Sequence, residues 1–343
     1  MRIFHLMAGK GNGGAETYAA DMMLALHEQG VEQRAVMAAG QPRVAALVAG
    51  GVPVLTDCLR SPFGFMQRRS VARAIATFQP DLVHCWMRRA ASLVPKLTVP
   101  TIGWFGGYYE VAHFQNCSHF IGVTPDIVDH QRSQGIAPER SFFVPTFPVT
   151  DSSTPVARAT LKTPEDVTVL LTLSRLHPKK GLDTLIQALK DLPNCVLWLA
   201  GDGPLQATLA AQAERIGVAS RLRFLGWRTD RGALLRAADI CVLPSRYEPF
   251  GTVMLEAWAA DVPLIAAAAA GPAAFVKTGE NGLLVPVSDA KALAAAIRQL
   301  QADAALRQKL IAGGQATYAA QFTRTAVTAQ MHTLYRQIIA GGR

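Results

Sequence analysis

The sequence predicts an α/β protein made of two doubly wound, Rossmann-like halves. Short apolar runs alternate with helical periodicity over residues 2–144, and the same alternation restarts at 167. Between the two lies Pro145-Thr-Phe-Pro-Val-Thr-Asp-Ser-Ser-Thr-Pro155, whose Pro, Ser and Thr content reads as a linker. A chain of 343 residues is long enough for two ordinary domains. With 50% hydrophobic and 17% charged residues, it has the apolar content for well-filled cores and no long disordered tract.

In the first half the expected strands are 2–7, 33–37, 82–85, 101–104, 120–123 and 142–144, with helical patterns such as 15–29 and 68–78 between them. In the second half they are 167–173, 196–200, 222–225, 240–243 and 264–267, with helices at 182–189, 205–216, 231–237, 252–260 and 290–300. Helical segments near 304–312 and 325–339 close the chain. The expected domains are 1–150 and 151–324. A doubly wound sheet binds ligands at the carboxyl ends of its strands. Two such domains facing each other would therefore put a site in a cleft between them.

Cys58, Cys85, Cys117, Cys195 and Cys241 are odd in number and lack C-x-x-C spacing, which argues against a disulfide framework or a zinc site and for a reducing, cytoplasmic setting. The opening apolar run is too short for a signal peptide, and no stretch has the roughly 18 uninterrupted apolar residues of a membrane helix. A net charge of +9 favours anionic partners. Arg60, Arg68, Arg69, Arg73, Arg88, Arg89 and Lys96 face a single acid, Asp81, in their window, and Phe63, Phe65 and Met66 sit beside the first of them. A basic helix with neighbouring aromatics suits an anionic membrane surface, at the inner face of the cytoplasmic membrane; a merely solvated basic face is the alternative. No nucleic-acid motif is present, so nucleic acid is not an expected partner.

Two segments invite chemistry. Gly9-Lys-Gly-Asn-Gly-Gly14 follows the first strand and precedes a helix, where glycines let backbone approach an anion or a sugar. A dinucleotide enzyme would add an acid at the end of strand two; here that strand ends Val36-Met-Ala-Ala-Gly-Gln41, which argues against NAD. In Ser245-Arg-Tyr-Glu-Pro-Phe-Gly-Thr-Val-Met-Leu-Glu256, the carboxylates Glu248 and Glu256 bracket a Pro-Phe-Gly turn that opens a helix. The N–H groups of Gly251 and Thr252 stand at a helix N-terminus, where phosphate is favoured. Two acids separated by seven residues often arise by chance, as a helix face plus a loop charge; the full string is more specific.

That string resembles the Glu-x7-Glu element of the retaining glycosyltransferases of family 4, which have the GT-B fold. Gly13-Gly14-Ala15-Glu16, Ser174-Arg175-Leu176 with Lys179-Lys180-Gly181, Gly201-Asp202-Gly203-Pro204 and Phe224-Leu225-Gly226 extend the resemblance over most of the chain. The resemblance implies a bacterial enzyme of lipopolysaccharide or other envelope-polysaccharide synthesis. It would move a hexose from a nucleotide diphosphate sugar, UDP-linked by family frequency, to a glycan or lipid-linked acceptor. Arg175 and Lys180 would stabilise the diphosphate leaving group, and Glu248 would orient the transferred sugar. Glu256 would hold the ribose, with Phe250, Gly251 and Thr252 beside it. Gly201, Gly203, Trp227 and Arg228 would flank the nucleoside, and Gly13 and Gly14 would close over the donor. The last helix, about 325–343, would pack back on the first domain. No Asp-x-Asp triplet is present to hold a divalent ion, so no metal and no other cofactor is expected.

The acceptor side departs from the family. Phe105 stands where many members carry a histidine, which leaves Tyr108, Tyr109, Glu110 and His113 as replacements. His84, in Asp81-Leu-Val-His84, also resembles a family position, though a packed core histidine is the simpler reading. The competing functions are a sugar-nucleotide epimerase of related fold and a non-catalytic sugar-nucleotide sensor.

Overall fold

The computed structural model describes residues 1–9, 13–149 and 153–341. The chain separates into two compact units, Met1–Phe147 with Thr323–Arg343, and Pro148–Phe322. The first unit begins β1 (Arg2–Met7), α1 (Gly14–Glu28), β2 (Glu32–Met37), α2 (Pro42–Ala49), β3 (Val54–Leu55) and α3 (Gly64–Phe78). It continues β4 (Leu82–Trp86), α4 (Met87–Ala91), β5 (Thr101–Phe105), β6 (His119–Gly122), α5 (Pro125–Ser133) and β7 (Ser141–Phe143). The second unit runs β8 (Thr168–Leu173), α6 (Leu182–Leu189), β9 (Cys195–Ala200), α7 (Gln206–Arg215), β10 (Leu222–Gly226), α8 (Arg231–Ala237) and β11 (Ile240–Leu243). After these come α9 (Thr252–Ala259), β12 (Leu264–Ala267), α10 (Ala270–Phe275), β13 (Leu283–Val285), α11 (Ala290–Ala302) and α12 (Ala304–Gln321). The final helix, α13 (Arg324–Gly341), belongs to the first unit.

Each unit holds one parallel sheet, ordered β3-β2-β1-β4-β5-β6-β7 and β10-β9-β8-β11-β12-β13. All-parallel sheets are covered on both faces, so their strands read as continuous apolar runs. Every residue of β4, β5 and β9 is buried. Helix α6 shows the matching helical rule. Leu182, Leu185, Ile186 and Leu189 fall at i, i+3, i+4 and i+7, and all are buried in one cluster with Leu170, Leu197 and Ile297. Each such side chain contributes about 1.5–3 kcal/mol on burial.

Most expected elements lie within a residue or two of the observed ones. The short β3 and β13 and the helices α2, α4, α5 and α10 were not anticipated, because two- and three-residue strands and five- to nine-residue helices carry too few positions for periodicity to register. Helix α3 starts four residues before its expected start at 68, so Phe65 and Met66 lie in its first turn.

The core of the first unit is partly polar. The indole N–H of Trp86 donates to His5 Nδ1 at 3.2 Å, so the ring proton of His5 sits on Nε2, 2.8 Å from Gln33 Oε1; Gln33 in turn donates to the Met23 carbonyl. Burial drives His5 down to about 4 against the pull of its Gln33 hydrogen bond. Beside it, His84 stacks on Trp86 with ring centres 4.0 Å apart, and its Nδ1 meets the Tyr335 hydroxyl at 2.5 Å. That contact anchors α13 to β4, and a bidentate pair between Arg324 and Glu28 anchors it to α1.

Candidate active site

In the second sheet the strand order reverses between β8 and β11, so the loops leaving these two strands run to opposite sides and open a crevice at their carboxyl ends. Both chemical motifs of this unit emerge there: Arg175–Lys180 after β8, and Ser245–Gly251 after β11. Lys180 Nζ lies 2.5 Å from Glu248 Oε2, and Ser245 Oγ donates to the same oxygen at 3.2 Å. Residues 68 apart in sequence thus form one charged unit. Arg175 is exposed on the same loop as Lys180, with no side-chain partner among the described residues. Lys179 adds a third cation, held over the Tyr247 ring at 4.3 Å.

The loops are fastened to one another. The backbone N–H groups of Arg246 and Tyr247 both donate to the Lys179 carbonyl. Arg246 makes a bidentate pair with Asp183 at 2.7 and 2.6 Å and also donates to the Pro178 carbonyl. The guanidinium holds the Asp183 carboxyl below its ordinary range. Leu176 N–H donates to the Asp202 carbonyl at 2.8 Å, and Gly201 N–H to the Gly226 carbonyl at 2.7 Å. Gly201 and Gly203 take φ of 146° and 158°, and a Cβ on either would sit 2.1 or 2.4 Å from the carbonyl oxygens of Ser174 and Leu176. Only glycine fits where the β9 loop crosses the β8 loop so closely. These two glycines therefore have a packing reason for being there, independent of any nucleoside contact.

Gly251, at φ 96°, caps α9, and Thr252 is its first residue. Glu256 sits one turn further on, only 6% exposed, with its Oε2 2.5 Å from Nη2 of Arg231. Trp227 is 65% exposed on the loop after β10, and the Arg228 guanidinium is held by Asp230 in a bidentate pair. The Phe250 ring turns inward against Phe275 and Phe322, so a donor could meet Phe250 through its backbone and not through the ring.

The strand ends of the first unit are different. Residues 10–12 of the glycine loop lie outside the described residues. Gly13 precedes α1 and Gly14 opens it. The Glu16 carboxylate lies over Gly9 and Gly13, which suits hydroxyl groups better than phosphate. His84 is fully buried, paired with Tyr335, and held by burial well below the ordinary histidine range, so it is a core residue and not an acceptor ligand. Phe105 is also core, stacked on Phe114 at 4.2 Å. Tyr108, Tyr109 and His113 share the segment after β5. The Tyr108 hydroxyl donates to Asp126, the Tyr109 ring packs on Phe105 and Phe114, and His113 is exposed. Among the described residues, no three His, Cys, Asp or Glu side chains cluster as metal ligands, and no helix is long and apolar enough to cross a membrane.

Sequence reading missed Arg231, Arg246 and Asp183. Arg246 lies inside the Ser245–Glu256 string, but its partner is 63 residues away, and nothing in either segment signals the pairing.

Two parallel doubly wound units, with paired charges at one switch point, define a class that the comparisons name. The chain matches the model for Glycosyltransferase Family 4 over residues 12–151 and the model for glycosyl transferases group 1 over residues 153–317. It is 35% identical over 332 residues, 96% of each chain, to the lipopolysaccharide core biosynthesis glycosyltransferase LpsD of Rhizobium meliloti (strain 1021). It is 34% identical to LpsE of the same organism, over 99% of each chain. The fold matches that of Anabaena Alr3699/HepE, solved in complex with UDP, with a TM-score of 0.86 at 21% identity over 98% of this chain and 100% of that one. It also matches WaaG, a glycosyltransferase involved in lipopolysaccharide biosynthesis, with a TM-score of 0.71 at 18% identity over 98% and 99% of the two chains. The chain belongs to the glycosyltransferases of family 4, as the Glu-x7-Glu string predicts.

Proposed function

We propose that this enzyme transfers a hexose, with retention of anomeric configuration, from a UDP-linked donor to a glycan or glycolipid acceptor in lipopolysaccharide core synthesis. The observation that carries the reading is the Lys180–Glu248 pair at the β8/β11 switch point, with Arg175 on the same loop as Lys180. The lipopolysaccharide core roles named for LpsD and LpsE support the acceptor class, and the UDP complex of Alr3699/HepE supports the donor.

As the bond between sugar C1 and the diphosphate breaks, negative charge grows on the leaving phosphate. Lys180 and Arg175 stabilise that charge more in the transition state than in the ground state, so no metal ion is required. Glu248 holds Lys180 in register and accepts from hydroxyls of the transferred sugar. The acceptor oxygen bonds to C1 on the face the phosphate leaves, and its proton passes to the departing phosphate oxygen. Retention follows without a protein base, which suits a strand end where Phe105 and His84 are both core.

The working location is the cytoplasmic face of an anionic membrane. Phe63, Phe65 and Met66 are exposed by 59, 64 and 45% at the start of α3. Arg68 donates to the Ser92 carbonyl, which ties α3 to the end of α4, the helix that carries the exposed Arg88 and Arg89. Flotation with anionic vesicles should recover the protein in a salt-sensitive way, and Phe65→Ser with Met66→Ser should abolish recovery; salt-independent absence of binding rejects the membrane role.

The donor assignment is tested by thermal shift with UDP, GDP, ADP and NAD(H), with and without EDTA. A ligand at 100 times its Kd adds about 2.7 kcal/mol. A shift with UDP that EDTA leaves unchanged is expected. A shift with NAD(H) alone overturns the reading.

A further inference from the structure

We propose that Arg231 is a positioning residue that fixes the Glu256 carboxylate and so sets the enzyme's preference for a ribose over a 2′-deoxyribose donor. The proposal rests on the donor-site reading above, in which Glu256 takes the ribose.

Arg231 opens α8, directly after the loop that carries Trp227 and Arg228; Glu256 lies in α9. Its Nη2–Oε2 bond of 2.5 Å therefore ties the base-side loop to the ribose-side helix across 25 residues of sequence. Glu256 is almost out of water, whereas Arg231 is 42% exposed along its side chain. A carboxylate at that depth needs a cation with well-made hydrogen bonds, because losing the partner leaves a buried charge that must neutralise or turn away. Arg231, Arg236, Glu256 and Ala259 line one small cavity of about 20 Å³, so the pair is not sealed on every side by core side chains. The buried Cys241 thiol on β11 is pushed up to about 12, chiefly by burial; the Glu256 charge adds to the rise and Arg231 opposes it, so both charges stand against that strand.

A hydrogen bond accepted by a charged group discriminates strongly only when its acceptor is held in place. Arg231 supplies that hold. If it acts through Glu256, its effect must vanish once Glu256 no longer carries charge.

The test is calorimetric titration of the full chain with UDP and 2′-deoxy-UDP, and with the matching GDP and ADP pairs. The wild type should favour the ribose form by about tenfold or more, the scale of one charged hydrogen bond. Arg231→Met should reduce the ratio to about threefold or less, and Arg231→Lys should restore part of it. Glu256→Gln should lower the ratio similarly, and adding Arg231→Met to Glu256→Gln should change it no further. A folded Arg231→Met that keeps the wild-type ratio overturns the proposal, as does an undiminished Arg231 effect in the Glu256→Gln background. If Arg231→Met does not fold, Arg231→Lys is decisive: an unchanged ratio there rejects the role. A wild type that binds nucleoside diphosphates without ribose preference overturns this inference alone, whereas one that binds none of them removes the donor reading beneath it.

Discussion

The two units share a doubly wound parallel sheet yet furnish the carboxyl ends of their strands in opposite ways. In the second unit those ends carry Arg175, Lys179, Lys180 and Glu248, on loops riveted together by Arg246–Asp183 and by glycine-only crossings. In the first, the ends of β4 and β5 carry His84, Trp86, Trp104 and Phe105, all buried in an aromatic and imidazole core. The contrast teaches that the fold provides the crevice while the side chains decide what it does. A cationic, pre-fastened crevice is suited to a diphosphate, whose charge is the same in every donor. The aromatic end offers no comparable cluster of charge, and Tyr108 and His113 of the segment after β5 are less buried than the strand residues before them.

The largest expected effect comes from removing the charged pair. Lys180→Ala or Glu248→Gln should lower turnover by about 10²–10³-fold, the cost of losing one preorganised charge contact to the transition state. His84→Asn, which keeps a partner for Tyr335, should hold turnover within about threefold. Steady-state rates on the three proteins break the comparison if His84→Asn proves as damaging as Lys180→Ala.

A smaller effect concerns acid. His5 and His84 are both buried and held below their ordinary values. The folded first unit therefore binds fewer protons than its unfolded chain. Its stability is complete above about pH 6.5 and falls as pH drops toward 4, by up to about 1.4 kcal/mol per pH unit for each histidine. Thermal melts from pH 7.5 to 4.5 should show this acid limb, and His84→Asn should flatten it. An unchanged limb in His84→Asn would assign the acid sensitivity to other groups.

The fold was legible because two strong signals agree: apolar runs of strand length alternate with helical periodicity, and a Pro/Ser/Thr-rich break separates two such series. The donor-side residues were legible because charge and turn chemistry at fixed spacing are local properties of the chain. His84 and Phe105 show the limit. A histidine at a strand end reads alike whether it faces solvent or a tyrosine 251 residues later. Arg231 shows the same limit from the other side, since an arginine at the start of a helix carries no mark of the buried carboxylate it will meet. Phe250 sits within the most informative string of the chain, yet its ring serves the core.

Hydrogen–deuterium exchange with and without saturating UDP tests most directly the claim that the second unit's strand ends hold the donor. The account predicts that protection will concentrate in residues 174–181, 201–205, 226–231 and 245–256. Protection confined to the strand ends of the first unit, with those four segments unchanged, would contradict it.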